Sequence, residues 1–371
     1  DIGAPEAWSI ETGDPDVVIA IADSGINYSH PDLADKIWIN EDEIPSNGID
    51  DDDNGYTDDV RGWDFAYNDS DPMDGNGHGT VCAGVPGMVT NNSIGGAGVI
   101  WDCQIIPVQI ANETWFGWWD DIANGIKYAA DNAADIISMS FGGYVCPDIV
   151  EDAVDYAYGK GVFLCAAAHN HNTSNECYPA AFKNVTAVAA TNQHDERCDE
   201  DDWGPGSGSN YGDWVDVAAP GNLIGTTSLD PEFYYYTAAS GTSLSTPMVA
   251  GLAALILSKN PVLSPDDIKS VICKNVDPYN SSEYIGTGRI NAYKALANVS
   301  SSRKAFLLGL IANLTSDEDI ISSNAKIVLS IGFGPFGIDI YRSNEKIIVT
   351  QDKLGYVGPR FIIGFFSATV I

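Results

Sequence analysis

The chain has 371 residues, 44% of them hydrophobic and 10% aromatic, with 37 glycines, which excludes a disordered chain and bounds it to one large domain plus a smaller one. Its 18 Lys and Arg against 52 Asp and Glu leave a net charge of −34, a surface that repels phosphate backbones and excludes nucleic acid as a partner. No apolar run approaches the roughly 18 residues of a membrane span, residues 305–312 being far too short.

In chain order, the first landmark is the apolar run 17–22 ending at Asp23-Ser24-Gly25. It reads as a buried parallel strand with a polar tip, where ligands and catalytic groups collect in open α/β sheets. Similar runs follow at 104–109, 136–140, 162–167 and 185–190, with helical patterns at 121–132 and 148–158, the second stopped by Gly159. The alternation predicts an α/β fold, a parallel sheet flanked by helices on both faces.

Between the first two strands lies an acidic loop in which Asp50, Asp52 and Asn54 alternate before Gly55, the first half of an EF-hand loop with Tyr56 next in the series. Arg61 stands where the closing Glu belongs, so the expectation is an incomplete cation loop that borrows Asp58 or Asp59; the alternative is a solvated acidic run. Next comes Gly75-Asn76-Gly77-His78-Gly79-Thr80-Val81-Cys82-Ala83-Gly84, which sets an imidazole at the start of a closely packed helix. Last is Gly241-Thr242-Ser243-Leu244-Ser245-Thr246-Pro247, a serine on a tight turn at the head of a small-residue helix. Taken singly, that serine is either a helix cap or a nucleophile at a helix N-terminus. The order Asp23, His78, Ser243 is one of the convergent orders of serine-hydrolase triads: an acid to fix the tautomer, a base to take the proton, and a hydroxyl to attack.

These three motifs resemble those of the subtilisin-like serine proteases, the subtilases, over residues 1–297, and in the N-terminal half the thermitase-like branch. The resemblance implies a subtilisin-like fold and a serine endopeptidase working through an acyl-enzyme. Asp23 would orient His78, His78 would act as general base and then acid, and Ser243 would be the nucleophile. The oxyanion donors would be Asn170 and the Ser243 amide. His169 stands where the family pattern has glycine, which bears on the primary specificity pocket. Ser140, Phe141 and Gly142 match one edge that pairs with extended substrate, and Trp115, Phe116 and Gly117 the other, with Trp119 and Ile122 lining a pocket further upstream.

The resemblance also implies structural Ca2+, two or three ions in all. One site would use Asp32 and the Asn92 side chain with carbonyls of Thr90, Ile94 and Gly96. Another would use Asp64, Asp69 and a carbonyl of Met73, with Tyr67 in place of one acid and Asp71 adding a carboxylate. A secreted monomer matured from a precursor whose own propeptide assists folding and inhibits is expected, acting on protein and peptide substrates. Two other readings are a narrow processing protease, with Asp120 and Asp121 drawing basic side chains, and a catalytically silent scaffold.

Seven cysteines without CxxC spacing leave at least one thiol free. Cys82 and Cys165 are expected unpaired, and Cys146 with Cys177 to form a disulfide. The peptidase domain is expected over 1–298, followed at 299–371 by a small β-rich domain of unknown role that packs on it. Its β-branched and aromatic runs lie at 325–330, 346–350 and 361–366, with a turn at Ser343-Asn344.

Overall fold

The computed structural model describes residues 2–145, 147–300, 327–333, 336–343, 346–353 and 366–369. The chain forms two compact units, Asp1–Ser300 and Ser301–Ile371. In the first, the elements run α1 (Ala4–Ala7), β1 (Gly13–Asp23), β2 (Trp63–Asp64), α2 (His78–Gly87), β3 (Asp102–Gln109), α3 (Trp119–Asp131), β4 (Ile136–Met139), α4 (Asp148–Gly159), β5 (Phe163–Ala167), β6 (Thr186–Thr191) and α5 (Glu200–Trp203). They continue with β7 (Val217–Pro220), β8 (Ile224–Thr227), β9 (Tyr236–Ala239), α6 (Thr242–Lys259), α7 (Pro265–Lys274), β10 (Val276–Asp277), β11 (Arg289–Ile290) and α8 (Ala292–Asn298).

Nine strands make one sheet in the order β10-β11-β7-β6-β5-β4-β1-β3-β2, parallel throughout except β10 on β11. The central strand β1 shows why the sequence folds this way. Val17, Ile19 and Ile21 face a core shared with α2 and α6, whereas Val18, Ala20 and Ala22 face a second core shared with α3 and α4. Side chains alternate along a strand, so a continuous apolar run is what a strand covered on both faces requires. Helix α6 runs through the first core with every residue from Thr242 to Ser258 buried. A methyl group on its Gly251 would stand 2.7 Å from Val99 Cβ, so only glycine lets α6 approach that loop.

Two boundaries differ from expectation. Helix α4 ends on Gly159, and the left-handed stop is Gly161, with φ +92°, the conformation that favours glycine after a helix. Helix α3 starts at Trp119 because the Asp121 carboxylate accepts the Trp118 N–H at 3.3 Å. Asp121 thereby caps the helix. The second unit holds a four-stranded antiparallel sheet of Ile327–Phe333, Phe336–Ser343, Lys346–Lys353 and Phe366–Thr369. Ser343 pairs with Lys346; Asn344 of the expected turn and positions 325–326 and 361–365 of the expected runs lie outside the described residues.

Asp135, just before β4, ties three strands together. Its carboxylate accepts the Val18 N–H at 2.9 Å, its N–H donates to Val18 O, and its carbonyl accepts the Phe163 N–H. Burial pushes its pKa up to about 6 against the opposing Val18 hydrogen bond, with the charges of Asp16 and Asp14 adding to the rise. A raised carboxylate costs stability once ionised, so the cost is absent below the unfolded value and complete above about pH 6. Asp135→Asn is expected to raise stability at pH 7.5 by about 1 kcal/mol, the full shift being discounted for partial exposure, and to leave it unchanged at pH 4. Paired melting curves at the two pH values check this, and equal shifts at both would rule out the ionisation account.

Candidate active site

Asp23 is the last residue of β1 and is fully buried. Its Oδ1 accepts the Ser24 N–H at 2.8 Å and lies 2.8 Å from His78 Nδ1, with Oδ2 at 3.1 Å. The carboxylate therefore fixes the imidazole with its proton on Nδ1 and leaves Nε2 as the basic atom. His78 opens α2, whose first amides have no partner within the helix. Each is taken by a side chain: His78 N–H by Asn76 Oδ1 at 3.2 Å, Gly79 N–H by Ser24 Oγ at 3.0 Å, and Thr80 N–H by Asp74 Oδ2 at 2.9 Å. Ser24 also donates to Asp74 at 3.0 Å, so the strand tip and the helix head are locked to each other. A methyl group on Gly79 would lie 2.0 Å from Gly25 O and 3.1 Å from Asp23 Oδ1, which is why this helix must start with glycine after the histidine. Asp74 and Ser24 were not singled out from the sequence, although an aspartate four residues before a helical histidine is a capping signal.

Ser243 lies in the first turn of α6, behind Gly241 with φ +149°. Its hydroxyl donates to Ser140 O at 3.2 Å. Pro247 has no N–H, so the Ser243 carbonyl four residues earlier has no helical donor. That carbonyl is taken instead by the Ser140 hydroxyl at 2.9 Å and the Cys82 thiol at 3.4 Å. The proline in Ser-Thr-Pro thus frees a carbonyl by which the end of β4 and helix α2 both hold the serine. Asn170 Oδ1 accepts the Thr242 N–H at 3.0 Å and the Thr242 hydroxyl at 2.8 Å. A backbone N–H only donates, so the atom facing Thr242 is the oxygen and the amide NH2 is turned away from it.

Burial by itself pushes the His78 pKa down, but the Asp23 charge and hydrogen bond and the Cys82 contact push it up, and the net direction is well above the ordinary histidine value. Burial also raises the Cys82 thiol, so the Asp23 carboxylate is the main group that holds the imidazole proton. Cys82 Sγ stands 3.7 Å from His78 Nδ1.

One cleft of about 270 Å³ is lined by Asn76, His78, Trp115, Ser140, Phe141, Gly142, Ala167, His169, Asn170, Thr242 and Ser243. It gathers residues from the ends of β4 and β5, the heads of α2 and α6, and the loop that carries Trp115. Of the residues expected at substrate, Phe116, Gly117, Trp119 and Ile122 are not in its lining. Ile122 is buried in the core beneath α3, and Trp119 packs against that core with its ring edge near Gly143. His169 has φ +83°, a left-handed backbone that glycine favours and that histidine adopts more readily than most side chains. Its ring lies 4.3 Å from that of His171 and 5.7 Å from that of Tyr144, and burial, then the charge of His171, lowers its pKa.

The carboxylate clusters sort differently from the EF-hand reading. Glu43, Asp52 and Asp59 bring carboxylate oxygens within 4.8 Å of one another, and Asn40 and Asn54 donate into the same group. Asp50 instead accepts the N–H groups of Asn54 and Gly55, Asp58 accepts those of Asn47 and Gly48, and Tyr56 packs in an aromatic cluster with Trp63, Phe65 and Tyr128. Glu43 was missed because it precedes the alternating run by seven residues. At the second location the fully buried Asp32 accepts from the Asn92 amide and from Tyr236 OH at 3.1 Å, and Ile94 N–H donates to Asn92 Oδ1. At the third, Asp64 accepts the Ala66 and Tyr67 N–H groups, and burial raises its pKa to about 6. There Asp69 accepts the Asp71 N–H and Asp71 accepts Tyr28 OH.

Cys82, Cys103, Cys165, Cys198 and Cys273 are free thiols, as expected for Cys82 and Cys165. Cys146 lies outside the described residues, so its pairing with Cys177 stays a proposal. Thiol titration of denatured, unreduced protein is expected to find five reactive groups, rising to the full seven after reduction; seven before reduction would exclude the bond.

A parallel sheet with an acid at one strand tip, and a histidine and a serine at two helix heads around one cleft, is the arrangement of a subtilisin-like hydrolase. Comparison with known proteins agrees. The Subtilase family profile matches residues 14–302. Thermitase of Thermoactinomyces vulgaris is 41% identical over 296 residues, covering 80% of this chain and 93% of that protein. The halolysin-like extracellular serine protease Nep of Natrialba magadii is 34% identical over 78% of this chain and 49% of its own length. Among solved structures, a protease from Pseudoalteromonas arctica superposes with a TM-score of 0.64 at 28% identity, covering 81% of this chain and 94% of that one. The chain belongs to the subtilase family and is a serine endopeptidase.

Proposed function

We propose that Asp23, His78 and Ser243 form the catalytic triad and that Asn170 donates to the oxyanion. The observation that carries this is the Asp23–His78 hydrogen bond of 2.8 Å in the same cleft as a serine at the head of α6. To act, Ser243 turns its hydroxyl from Ser140 O toward the free nitrogen of His78; catalytic hydrogen bonds commonly form only with substrate in place. Attack on a peptide carbonyl passes the hydroxyl proton to His78. The Asn170 NH2 and the Ser243 amide hold the oxyanion, and His78 then protonates the leaving amine. Water, activated by the same imidazole, releases the acyl group. Asp23 remains ionised and stabilises the imidazolium.

Substrate lies extended along Ser140, Phe141 and Gly142, with the residue before the scissile bond facing His169. Three acidic groups suit structural calcium: Glu43, Asp52 and Asp59; Asp32 with Asn92; and Asp64 with Asp69. Each sets at least one buried carboxylate (Glu43 and Asp59, Asp32, and Asp64) among neutral donors with no cationic side chain bonded to it, and a hard cation with oxygen ligands is the chemistry that matches. The metal braces loops and takes no part in the reaction. The protein works outside the cell as a monomer, matured from a precursor with an inhibitory propeptide, and its catalytic domain is 1–298. An extracellular relative and an acid-rich surface support this setting. A fluorophosphonate probe is expected to label Ser243 in folded, calcium-loaded protein, and a folded protein that resists labelling would favour the silent-scaffold reading.

A further inference from the structure

We infer that Trp115 restricts the cleft to substrates with a small residue two positions before the scissile bond. The inference rests on the roles proposed above for Ser243 and Asn170. Trp115 sits in a loop closed on itself. Asn112 N–H donates to Phe116 O and Trp115 N–H to Asn112 O, both at 2.9 Å. The Asn112 side-chain oxygen accepts Thr114 N–H, the Thr114 hydroxyl and Phe116 N–H at 2.9, 2.7 and 3.1 Å. The loop is tied to the histidine segment by Asn76 Nδ2, which donates to Glu113 O at 2.9 Å. Within it Trp115 has φ +63°, a conformation a bulky residue adopts only where its surroundings impose it. The result is an indole whose centroid lies 4.4 Å from that of His78, tilted by 60°. It remains 40% exposed and lines the same cleft as Ser243.

The cleft has two walls. On one, Gly142 closes on His169, whose Cδ2 lies 3.6 Å from where a Gly142 Cβ would stand; on the other, the indole covers His78. An extended peptide sends successive side chains to opposite sides. With its scissile carbonyl at Ser243 and Asn170, the residue before the bond faces the His169 wall and the one preceding it faces His78. The Trp115 indole fills the space a large side chain needs there. Glycine, alanine or proline fits against the ring, whereas leucine or phenylalanine has to displace it from His78.

Peptides identical except at that position test the inference in the full-length, calcium-loaded protein. Wild type is expected to favour alanine over phenylalanine by at least tenfold in kcat/KM, within the range a pocket gains from steric exclusion. Trp115→Ala is expected to bring the ratio within about threefold, and Trp115→Phe to leave it intermediate. A wild-type profile flat at that position, or a Trp115→Ala ratio unchanged from wild type, overturns the inference. Failure of wild type to label with fluorophosphonate is a different result and overturns the triad assignment itself.

Discussion

Ser243→Ala is expected to lower kcat by about 10⁶-fold and Asp23→Asn by about 10⁴-fold, magnitudes taken from triad replacements measured in subtilisin and chymotrypsin-type enzymes. The first change removes the only atom that bonds to the acyl group. The second keeps the shape but replaces an acceptor by an amide, which leaves the imidazole free to take the wrong tautomer. It also has a signature that a merely structural defect lacks. Asp23 is what holds His78 above the ordinary histidine value against its burial, so wild-type kcat/KM should rise with pH through a midpoint above that value as the base loses its proton. With the charge gone, only the Cys82 contact opposes burial, and the midpoint should move to lower pH while the plateau falls. Profiles measured against titrated active sites check both. A plateau lost with an unmoved midpoint would mean that Asp23 supports the fold rather than the base.

Much of this site was legible because catalysis constrains short local patterns. A strand that must be apolar on both faces and end in an acid, a histidine among glycines and a serine between Gly-Thr and Leu-Ser-Thr-Pro all announce themselves within about ten residues. What sequence did not disclose depends on pairs far apart in the chain. Asp74 and Ser24 are 50 residues apart, yet they share one hydrogen bond at 3.0 Å. The Ser140 and Cys82 donors to Ser243 O become visible only when β4 and α2 meet the head of α6. Ile122 is a different case. Its place in a family pattern points to a pocket, and the helical phase of α3 sets it in the core beneath that helix. Trp115 was expected on a substrate edge, and the position of its ring on His78 came from a left-handed turn that no periodicity encodes.

Calcium removal is expected to lower the melting temperature by roughly 10 °C or more, since one site at about a thousand times its dissociation constant contributes about 4 kcal/mol. Measured on Ser243→Ala, the shift cannot be confused with autolysis. The physical ground is clearest at Glu43, Asp52 and Asp59. Asp59 is fully buried, and burial raises it against hydrogen bonds from Tyr128, Asn40 and Asn54, with the charge of Asp52 adding to the rise. Without a cation, the folded state holds protons there that the unfolded chain releases. Stability in EGTA should therefore fall as pH rises from the unfolded value through the folded one. A bound cation keeps the carboxylates ionised and removes that loss, so the stabilisation by calcium should grow between pH 4 and pH 7. Asp52→Asn separates this from a general salt effect: it relieves like-charge repulsion in the chelated protein but weakens the bound state. It should melt above the parent in EGTA and below it in millimolar calcium. Two curves that keep the same order in both conditions would show that the cluster is a solvated acidic surface and that calcium acts elsewhere.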